Sequence, residues 1–277
     1  MNLRESCLAS GWYHKSPSGI FQFLSEFADE QPCGPVYAAI APHAGWYYSG
    51  RTAAKAMASL RRDVETLVVI GGHLPGSSPP LFALEDAVST PLGNMAIDAG
   101  LRAALRKKIG GQEDTHPDNT VEVLLPMARF FCPDSSLLWL RLPAALSSFE
   151  AGKAIAAAAQ GLGRSVAVVA STDLTHYGAN YRFTPQGSGP DAYRWMREVN
   201  DRNFIDAVES GDPAAVLERA KNDSSSCSAG AVLGAMGFAA AIGIGPARLV
   251  EYATSADADG NAKVPDSFVG YASFVFS

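Results

Sequence analysis

The chain has 277 residues and a formal net charge of −6. No long run of lysine or arginine occurs, so we do not expect binding to nucleic acid or to an anionic membrane surface. The N-terminal residues lack the apolar segment of a signal peptide, and the four cysteines show no CxxC pairing. We therefore expect a cytoplasmic protein whose residues 1–277 form a single domain.

Short apolar runs alternate with segments of helical periodicity along the whole chain. The predicted strands are residues 36–41, 66–70, 137–142, 165–170, 248–253 and 268–276. The predicted helices are residues 52–60, 96–107, 149–161, 191–209, 213–221 and 229–241. This alternation predicts an α/β fold with one mostly parallel or mixed central sheet and helices on both faces.

Residues 224–247 contain no charged side chain, which raises the alternative of a membrane span. Most of these residues are alanine, glycine and serine, and such small side chains contribute little to membrane insertion. The stretch therefore predicts a buried helix of a globular protein.

Three of the five histidines follow predicted strands. His43 comes after the strand at 36–41, His73 after 66–70, and His176 after 165–170. The carboxyl ends of parallel strands meet at one edge of a sheet, and ligands bind just outside that edge. We therefore expect the three histidines to converge on a shared site.

Aromatic residues follow His43 in the order Trp46, Tyr47 and Tyr48. Aromatic side chains can wall a pocket or fill the core beneath a loop. The sequence leaves both alternatives open for Trp46 and Tyr47, and we place Tyr48 in the pocket.

Asp173 stands three residues before His176, so one turn of helix would bring both side chains to the same face. A carboxylate beside an imidazole can fix its tautomer and keep it basic, as general acid/base catalysis requires. This pattern makes Asp173 and His176 candidate catalytic residues.

Cys227 ends a serine-rich segment just before the predicted helix at 229–241. A helix N-terminus favours the thiolate, which is the form that binds metal or attacks an electrophile. Cys7, Cys33 and Cys132 lack such surroundings, and we interpret them as buried, inert thiols.

His116 lies in a loop that enters another helical segment. Asp118 is a suitable N-cap for that segment, and Pro126 is expected to kink or end the helix. His116 is a further candidate catalytic residue, although a purely structural role fits its position equally well.

These motifs together resemble those of a known family. The matching words are PHAG at 42–45 with Ser49-Gly50, Gly72-His73, His116 with VEV at 121–123 and Leu125-Pro126, STDLTHY at 171–177, GWY at 11–13 and VGYAS at 269–273. They cover nearly the whole chain, and the chain is similar to the Memo family, also called AmmeMemoRadiSam system protein B. This family resembles the class III extradiol ring-cleaving dioxygenases of the LigB type.

The resemblance implies a LigB-like fold and a mononuclear metal site. Those dioxygenases hold non-haem Fe(II) with two histidines and a carboxylate. By resemblance His43 and His73 are metal ligands, Cys227 takes the place of the carboxylate, and His176 is the acid/base residue. Two departures from the family pattern are Ser228, where glycine is expected, and Pro117, where serine is expected.

Three functions fit these residues. The first is a dioxygenase or other oxidoreductase, with Fe(II) favoured, that acts on a small aromatic or redox-active substrate. The second is a non-enzymatic module that binds a peptide or protein through Trp12, Tyr48 and the neighbouring loops. The third is a zinc-dependent hydrolase, because a thiolate ligand also suits zinc or copper. The resemblance further implies an AmmeMemoRadiSam system protein A-like partner and a radical-SAM companion.

Overall fold

The structure is a computed structural model that describes residues 2–28, 36–258 and 265–277. Its strands are β1 (Leu3–Arg4), β2 (Ala38–Ala41), β3 (Thr66–Gly71), β4 (Leu81–Phe82), β5 (Ala87–Val88), β6 (Met95–Ala96), β7 (Gln112–Glu113), β8 (Ser136–Arg141), β9 (Val166–Ser171), β10 (His176–Gly178), β11 (Arg248–Thr254) and β12 (Ser267–Phe276).

The α-helices of the same residues are α1 (Pro17–Leu24), α2 (Trp46–Ser59), α3 (Ala99–Ile109), α4 (Asn119–Glu122), α5 (Leu125–Phe131), α6 (Ser147–Leu162), α7 (Pro190–Trp195), α8 (Asp201–Ser210), α9 (Pro213–Asn222), α10 (Ala229–Ala241) and α11 (Ser255–Ala258). Two 3₁₀ turns lie at Ser25–Phe27 and Ala179–Tyr181, and a π-helical turn lies at Met196–Asn200.

A nine-stranded mixed sheet forms the centre of the fold. Its order is β10-β12-β2-β9-β3-β8-β4-β7, with β11 paired to β12. The four central strands β2, β9, β3 and β8 run parallel to one another, whereas β12 is antiparallel to β2. The predicted α/β fold with a mostly parallel or mixed sheet is confirmed.

Helices cover both faces of this sheet. Successive residues of a strand point to opposite faces, so Val69 packs in one buried cluster and Val68 in the other. The first cluster includes Met57 of α2, and the second includes Ile155 of α6 and Leu233 of α10. The central strands are therefore buried on both sides, which explains their continuous apolar sequences.

All six predicted strands and all six predicted helical segments are present, with three notable differences. α2 begins at Trp46, six residues earlier than predicted, and the segment 191–209 contains the π-helical turn. Short elements such as α1 and the two-residue strands were not predicted, since they offer too few residues for a periodic pattern.

The uncharged stretch forms α10, whose residues 229–239 are all buried. A Cβ added at Gly152 of α6 would overlap the carbonyl oxygen of Gly234, and one at Gly237 would overlap that of Phe149. The two helices thus meet almost backbone to backbone, as only glycine permits. The predicted buried helix is confirmed. Within the described residues, no helix has the length and apolarity needed to cross a membrane.

Candidate functional site

His43, His73 and Cys227 meet at the carboxyl edge of the central strands. His43 lies two residues after β2, His73 lies two residues after β3, and Cys227 lies just before α10. One potential ligand atom from each residue lies within 4.8 Å of the other two. The Cys227 Sγ is 3.2 Å from the His43 Nε2, and the two imidazole rings are nearly perpendicular with centroids 4.9 Å apart.

His43 is the inner member of this group and is fully buried. Its Nδ1 lies 2.7 Å from the Ser171 Oγ, and its backbone N–H donates to the Asp173 Oδ1 over 2.7 Å. The Asn119 side chain donates to the His43 carbonyl over 3.0 Å. Burial lowers the pKa of His43, but the charges of Cys227 and Asp173 outweigh it, so the pKa lies above its usual range.

His73 is the outer member, and a third of its side chain is exposed. Its φ angle is +55°, a left-handed conformation that is uncommon outside glycine. The Nδ1 lies 3.1 Å from the Asp118 Oδ2. Burial lowers the pKa of His73, whereas the hydrogen bonds with Asp118 and with Cys227 raise it to a net value of about 10.

Cys227 is partly exposed and is not oxidised to a disulfide. Burial raises the pKa of its thiol, but the charges and hydrogen bonds of His43 and His73 outweigh burial and hold the pKa well below the usual range. The thiolate is therefore the favoured form, and thiolate is the form that binds metal.

The neighbouring residue Ser228 accommodates the departure from the family pattern. Its φ of −142° is accessible to any residue, and its Oγ accepts a hydrogen bond from the His73 N–H over 3.2 Å. A Cβ at Gly72 would overlap the Ser228 side chain, so Gly72 provides the space that serine needs.

This donor set fits a single metal ion. Bonds of about 2.0 Å to imidazole nitrogen and 2.3 Å to thiolate sulfur place the ligand atoms of a tetrahedral site about 3.5 Å apart. The 3.2 Å between the His43 Nε2 and the Cys227 Sγ is close to that spacing. Two imidazoles and one thiolate suit zinc, iron or copper, and they leave a coordination position open.

Asp173 and His176 line the same cavity as the candidate ligands His43 and His73. The predicted helical turn between them is wrong, because residues 172–175 form an irregular loop and His176 begins β10. β10 pairs with β12, and this pairing holds His176 beside the cavity.

Asp173 is nearly fully buried, with its Oδ2 3.9 Å from the His43 Nε2. Burial raises the pKa of Asp173 above its usual range, and the positive charges of His43 and His176 oppose that rise. Its carboxylate therefore contacts the inner ligand, whereas the His176 Nδ1 donates to the Leu174 carbonyl over 3.2 Å. The carboxylate does not set the tautomer of His176, and a backbone carbonyl does so instead.

The cavity has a volume of about 630 Å³, and aromatic residues form part of its wall. Trp12 and Tyr48 line it, as does Tyr47, whose position the sequence left open. Trp46 instead packs in the core, and its Nε1 donates to the Val123 carbonyl over 3.0 Å.

Several other residues that the sequence singled out lie outside the cavity. Among the described residues, His116 is exposed and does not line the cavity; its Nδ1 lies 3.2 Å from the Thr115 Oγ1. Asp118 is the N-cap of α4 as predicted, but Pro126 lies in the first turn of α5 rather than ending a helix. Cys132 is buried as expected, Cys7 is exposed contrary to expectation, and Cys33 lies outside the described residues.

Sequence reasoning missed several residues of the site. Asn119, Asn180, Tyr181 and Tyr271 line the cavity. Tyr271 lies in the VGYAS segment, which served only as a family motif. Asn119 begins α4, and Asn180 and Tyr181 lie in the 3₁₀ turn at Ala179–Tyr181, where no motif indicates a ligand. Asp118 was identified as a helix cap, and its contact with His73 comes from tertiary structure.

The sequence model of the family described as Memo-like protein matches residues 4–275. The chain is 30% identical to a MEMO1 family protein of Archaeoglobus fulgidus, and the alignment covers 99% of both chains. It is 29% identical to a MEMO1 family protein of Pyrococcus abyssi over 92% of this chain and 91% of that one. The crystal structure of the uncharacterized protein JW3007 from Escherichia coli K12 matches 87% of this chain and 99% of that chain at 14% identity, with a TM-score of 0.44. The first two comparisons show that the chain belongs to the Memo-like protein family.

Proposed function

We propose that the chain is a metal-dependent oxidoreductase that binds a small aromatic or redox-active substrate. The observation that carries this proposal is the group of His43, His73 and Cys227, which lies beside an aromatic cavity that also contains His176. Because the family resembles ring-cleaving dioxygenases, the more specific proposal is that the chain is a dioxygenase.

In this proposal His43, His73 and Cys227 hold one metal ion, with Fe(II) favoured and zinc or copper as alternatives. A bound Fe(II) ion supplies a Lewis acid and an electron donor at an open coordination position. The protein supplies the shaped cavity that would position the substrate beside the ion.

His176 is the proposed acid/base residue. A carbonyl oxygen can only accept a hydrogen bond, so the contact with Leu174 requires a proton on the His176 Nδ1. The neutral imidazole then has its lone pair on Nε2, where it can accept a proton from a substrate hydroxyl. Asp173 is proposed to support the site through His43 and through its negative charge beside His176.

The walls of the cavity favour a planar, uncharged substrate. Trp12, Tyr48, Tyr181 and Tyr271 offer ring faces and hydroxyl groups, and no lysine or arginine is among the described residues that line the cavity. Such walls stack against an aromatic ring and orient its hydroxyl groups.

A second candidate function is the binding of a peptide or protein without catalysis. The exposed side chains of Tyr47, Tyr48 and Tyr181 at the cavity favour it, because exposed tyrosines are frequent at binding surfaces. A zinc-dependent hydrolase is the third candidate, based on the same donor set. The AmmeMemoRadiSam system protein A-like and radical-SAM partners, the cytoplasmic location and the single domain remain predictions.

Anaerobic metal titration followed by oxygen uptake tests these alternatives. The parent, Cys227→Ser and Cys227→Asp are titrated with Fe(II), Zn(II) and Cu(I), and Cys7→Ser is the control with an altered thiol elsewhere. We expect Cys227→Ser to bind weakly and Cys227→Asp to shift preference toward Fe(II), because a carboxylate is a harder ligand. Equal affinities across all four proteins would remove Cys227 from the site.

The iron-loaded parent is then mixed with catechols in oxygenated buffer. Oxygen consumption that depends on the catechol and on bound Fe(II) supports the oxidoreductase. Metal binding with no turnover of catechols favours the binding module, and turnover of esters or amides only by the zinc form favours the hydrolase.

A further inference from the structure

The His73 side chain has one ring nitrogen engaged by a carboxylate. Its Nδ1 lies 3.1 Å from the Asp118 Oδ2, so Nε2 is the nitrogen that remains for a metal ion beside Cys227. Among the described residues Asp118 does not line the cavity. Its carboxylate contacts the group of three candidate ligands through the His73 ring.

Asp118 is itself held in place through both of its oxygens. The Oδ1 accepts hydrogen bonds from the Thr120 N–H over 2.8 Å and from the Thr120 hydroxyl. The Oδ2 that faces His73 also accepts from the Arg141 Nη2 over 3.1 Å. The carboxylate thus has a single orientation in which Oδ2 lies between an imidazole and a guanidinium.

Arg141 joins this carboxylate to the backbone that precedes His73. The buried guanidinium donates through Nε to the Gly72 carbonyl over 3.0 Å and through Nη1 to the Asp114 Oδ1 over 3.1 Å. Asp114 in turn accepts from the Trp139 Nε1 over 2.8 Å. Arg141 therefore contacts both the main chain on one side of His73 and the carboxylate beside its ring.

This support matters because His73 adopts a left-handed backbone conformation that an isolated histidine would rarely populate. Such conformations persist only where the surrounding structure determines them. The backbone N–H of His73 donates to the Ser228 Oγ, so the residue is held on three sides.

We propose that Asp118, held by Arg141, is a positioning residue that directs the Nε2 of His73 into the metal centre. This inference rests on the metal centre of the proposed function. A carboxylate on the far nitrogen of a ligand histidine fixes its tautomer and ring orientation, and removal of such a group typically lowers metal affinity about 10–100-fold.

Anaerobic titration with Co(II) tests the inference, since the absorption of a Co(II)–thiolate bond reports directly on the geometry at Cys227. Asp118→Asn keeps an oxygen for the Thr120 cap and removes the charge, and Asp118→Ser keeps a capping oxygen without any carboxylate. Asp212→Asn is the matched control, because Asp212 caps α9 through Ala214 and Ala215 in an exposed position.

We expect both Asp118 variants to bind Co(II) about 10–100-fold more weakly than the parent and to alter the thiolate absorption band. Asp212→Asn should match the parent in both respects. In a His73→Ala background, the Asp118 substitutions should have no further effect on affinity, because the residue through which they act is gone.

The possible failures are distinct. A parent that binds no Co(II) in a Cys227-dependent manner would overturn the proposed metal centre itself. A parent that binds, together with Asp118 variants of equal affinity and spectrum, would overturn only the positioning role. The same holds if the substitutions weaken binding equally with and without His73.

Discussion

His43 and His73 are the same residue type in the same candidate site, yet the protein holds them in different ways. His43 is buried, and its ring lies against the Ser171 hydroxyl. Its backbone N–H donates a hydrogen bond to the Asp173 carboxylate. His73 is partly exposed and is held through its ring by Asp118. The inner histidine belongs to the core, and the outer one belongs to a network of charged groups.

Because of this difference, we expect substitutions near the two histidines to affect protein stability and metal binding to different extents. Changes near the inner histidine act on the packed interior and on the loop at 172–175. Changes near the outer histidine act on charge and orientation, with little effect on packing.

Removal of each histidine should give the largest contrast. We expect His43→Ala and His73→Ala each to weaken metal binding by more than the roughly 10–100-fold typical of outer-shell groups. In metal-free protein His43→Ala should also lower the free energy of unfolding by about 2–4 kcal/mol, because it leaves a cavity and an unpaired Ser171 hydroxyl. His73→Ala should lower it by less than about 1 kcal/mol, as for most exposed sites. Urea unfolding measures both values, and equal losses would contradict the comparison.

A buried carboxyl group beside the loop at 172–175 should make the free energy of unfolding depend on pH. Asp201 is fully buried and accepts hydrogen bonds from the Thr175 N–H over 3.1 Å and from the Tyr252 hydroxyl over 2.7 Å. Burial raises the pKa of Asp201 to about 7, and these hydrogen bonds only partly oppose the rise. Between about pH 4 and pH 7 the folded protein keeps this proton while the unfolded chain loses it.

This group therefore makes the folded state less stable as pH rises through that window, by about 2–4 kcal/mol in total. Asp201→Asn should remove that part of the pH dependence of the free energy of unfolding. The variant should therefore become more stable relative to the parent as pH increases. Asp206→Asn, on the exposed side of the same helix, is the control and should leave the slope unchanged. Urea unfolding at a series of pH values tests this, and identical slopes for parent and Asp201→Asn would refute it.

Substitution of the groups that bind the Nδ1 atoms of the two histidines should give a smaller difference in metal affinity. Ser171→Ala removes a neutral hydrogen bond 2.7 Å long from the His43 Nδ1. A neutral hydrogen bond contributes about 0.5–1.5 kcal/mol, so we expect metal affinity to fall about 2–10-fold. Charge-assisted bonds are about twice as strong, so Asp118→Asn should have the larger effect. Co(II) titration of the two variants side by side would expose a reversed order.

His176 should have the smallest effect on metal affinity. It lines the cavity but lies outside the group of three candidate ligands. His176→Ala should leave metal affinity unchanged and reduce any turnover about 10²–10⁴-fold, as expected for loss of an acid/base group. A loss of bound metal in this variant would instead make His176 a ligand.

Much of the fold could be predicted because its central strands are long, apolar and buried on both faces. Runs such as 66–70 and 165–170 have the length and the valine-rich composition typical of strands buried on both faces. Two-residue strands could not be predicted, because tertiary contacts rather than local pattern stabilise them.

The site, too, could be predicted where it follows from the strand pattern but not where it depends on tertiary contacts. Parallel strands share a carboxyl edge, so the convergence of loops after β2, β3 and β9 could be inferred from the sequence. The contacts of Asp118 with His73 and Arg141 could not, because they join residues 23 to 45 positions apart through side-chain direction alone. The expected helical turn after β9 was wrong because pairing of β10 with β12 outweighed the local spacing of Asp173 and His176.

The close contact between α6 and α10 has a consequence for how the chain can evolve. A Cβ at Gly152 would overlap the Gly234 carbonyl oxygen, and one at Gly237 would overlap the Phe149 carbonyl oxygen, so neither Gly152 nor Gly237 can gain a methyl group unless the helices separate. The groups that an added methyl group would meet are backbone carbonyls, so a side-chain change on the other helix cannot make room for it. α10 begins two residues after Cys227, so this contact also fixes the helix next to the candidate ligand sulfur. Gly152 and Gly237 thus restrict sequence variation at positions that do not line the cavity.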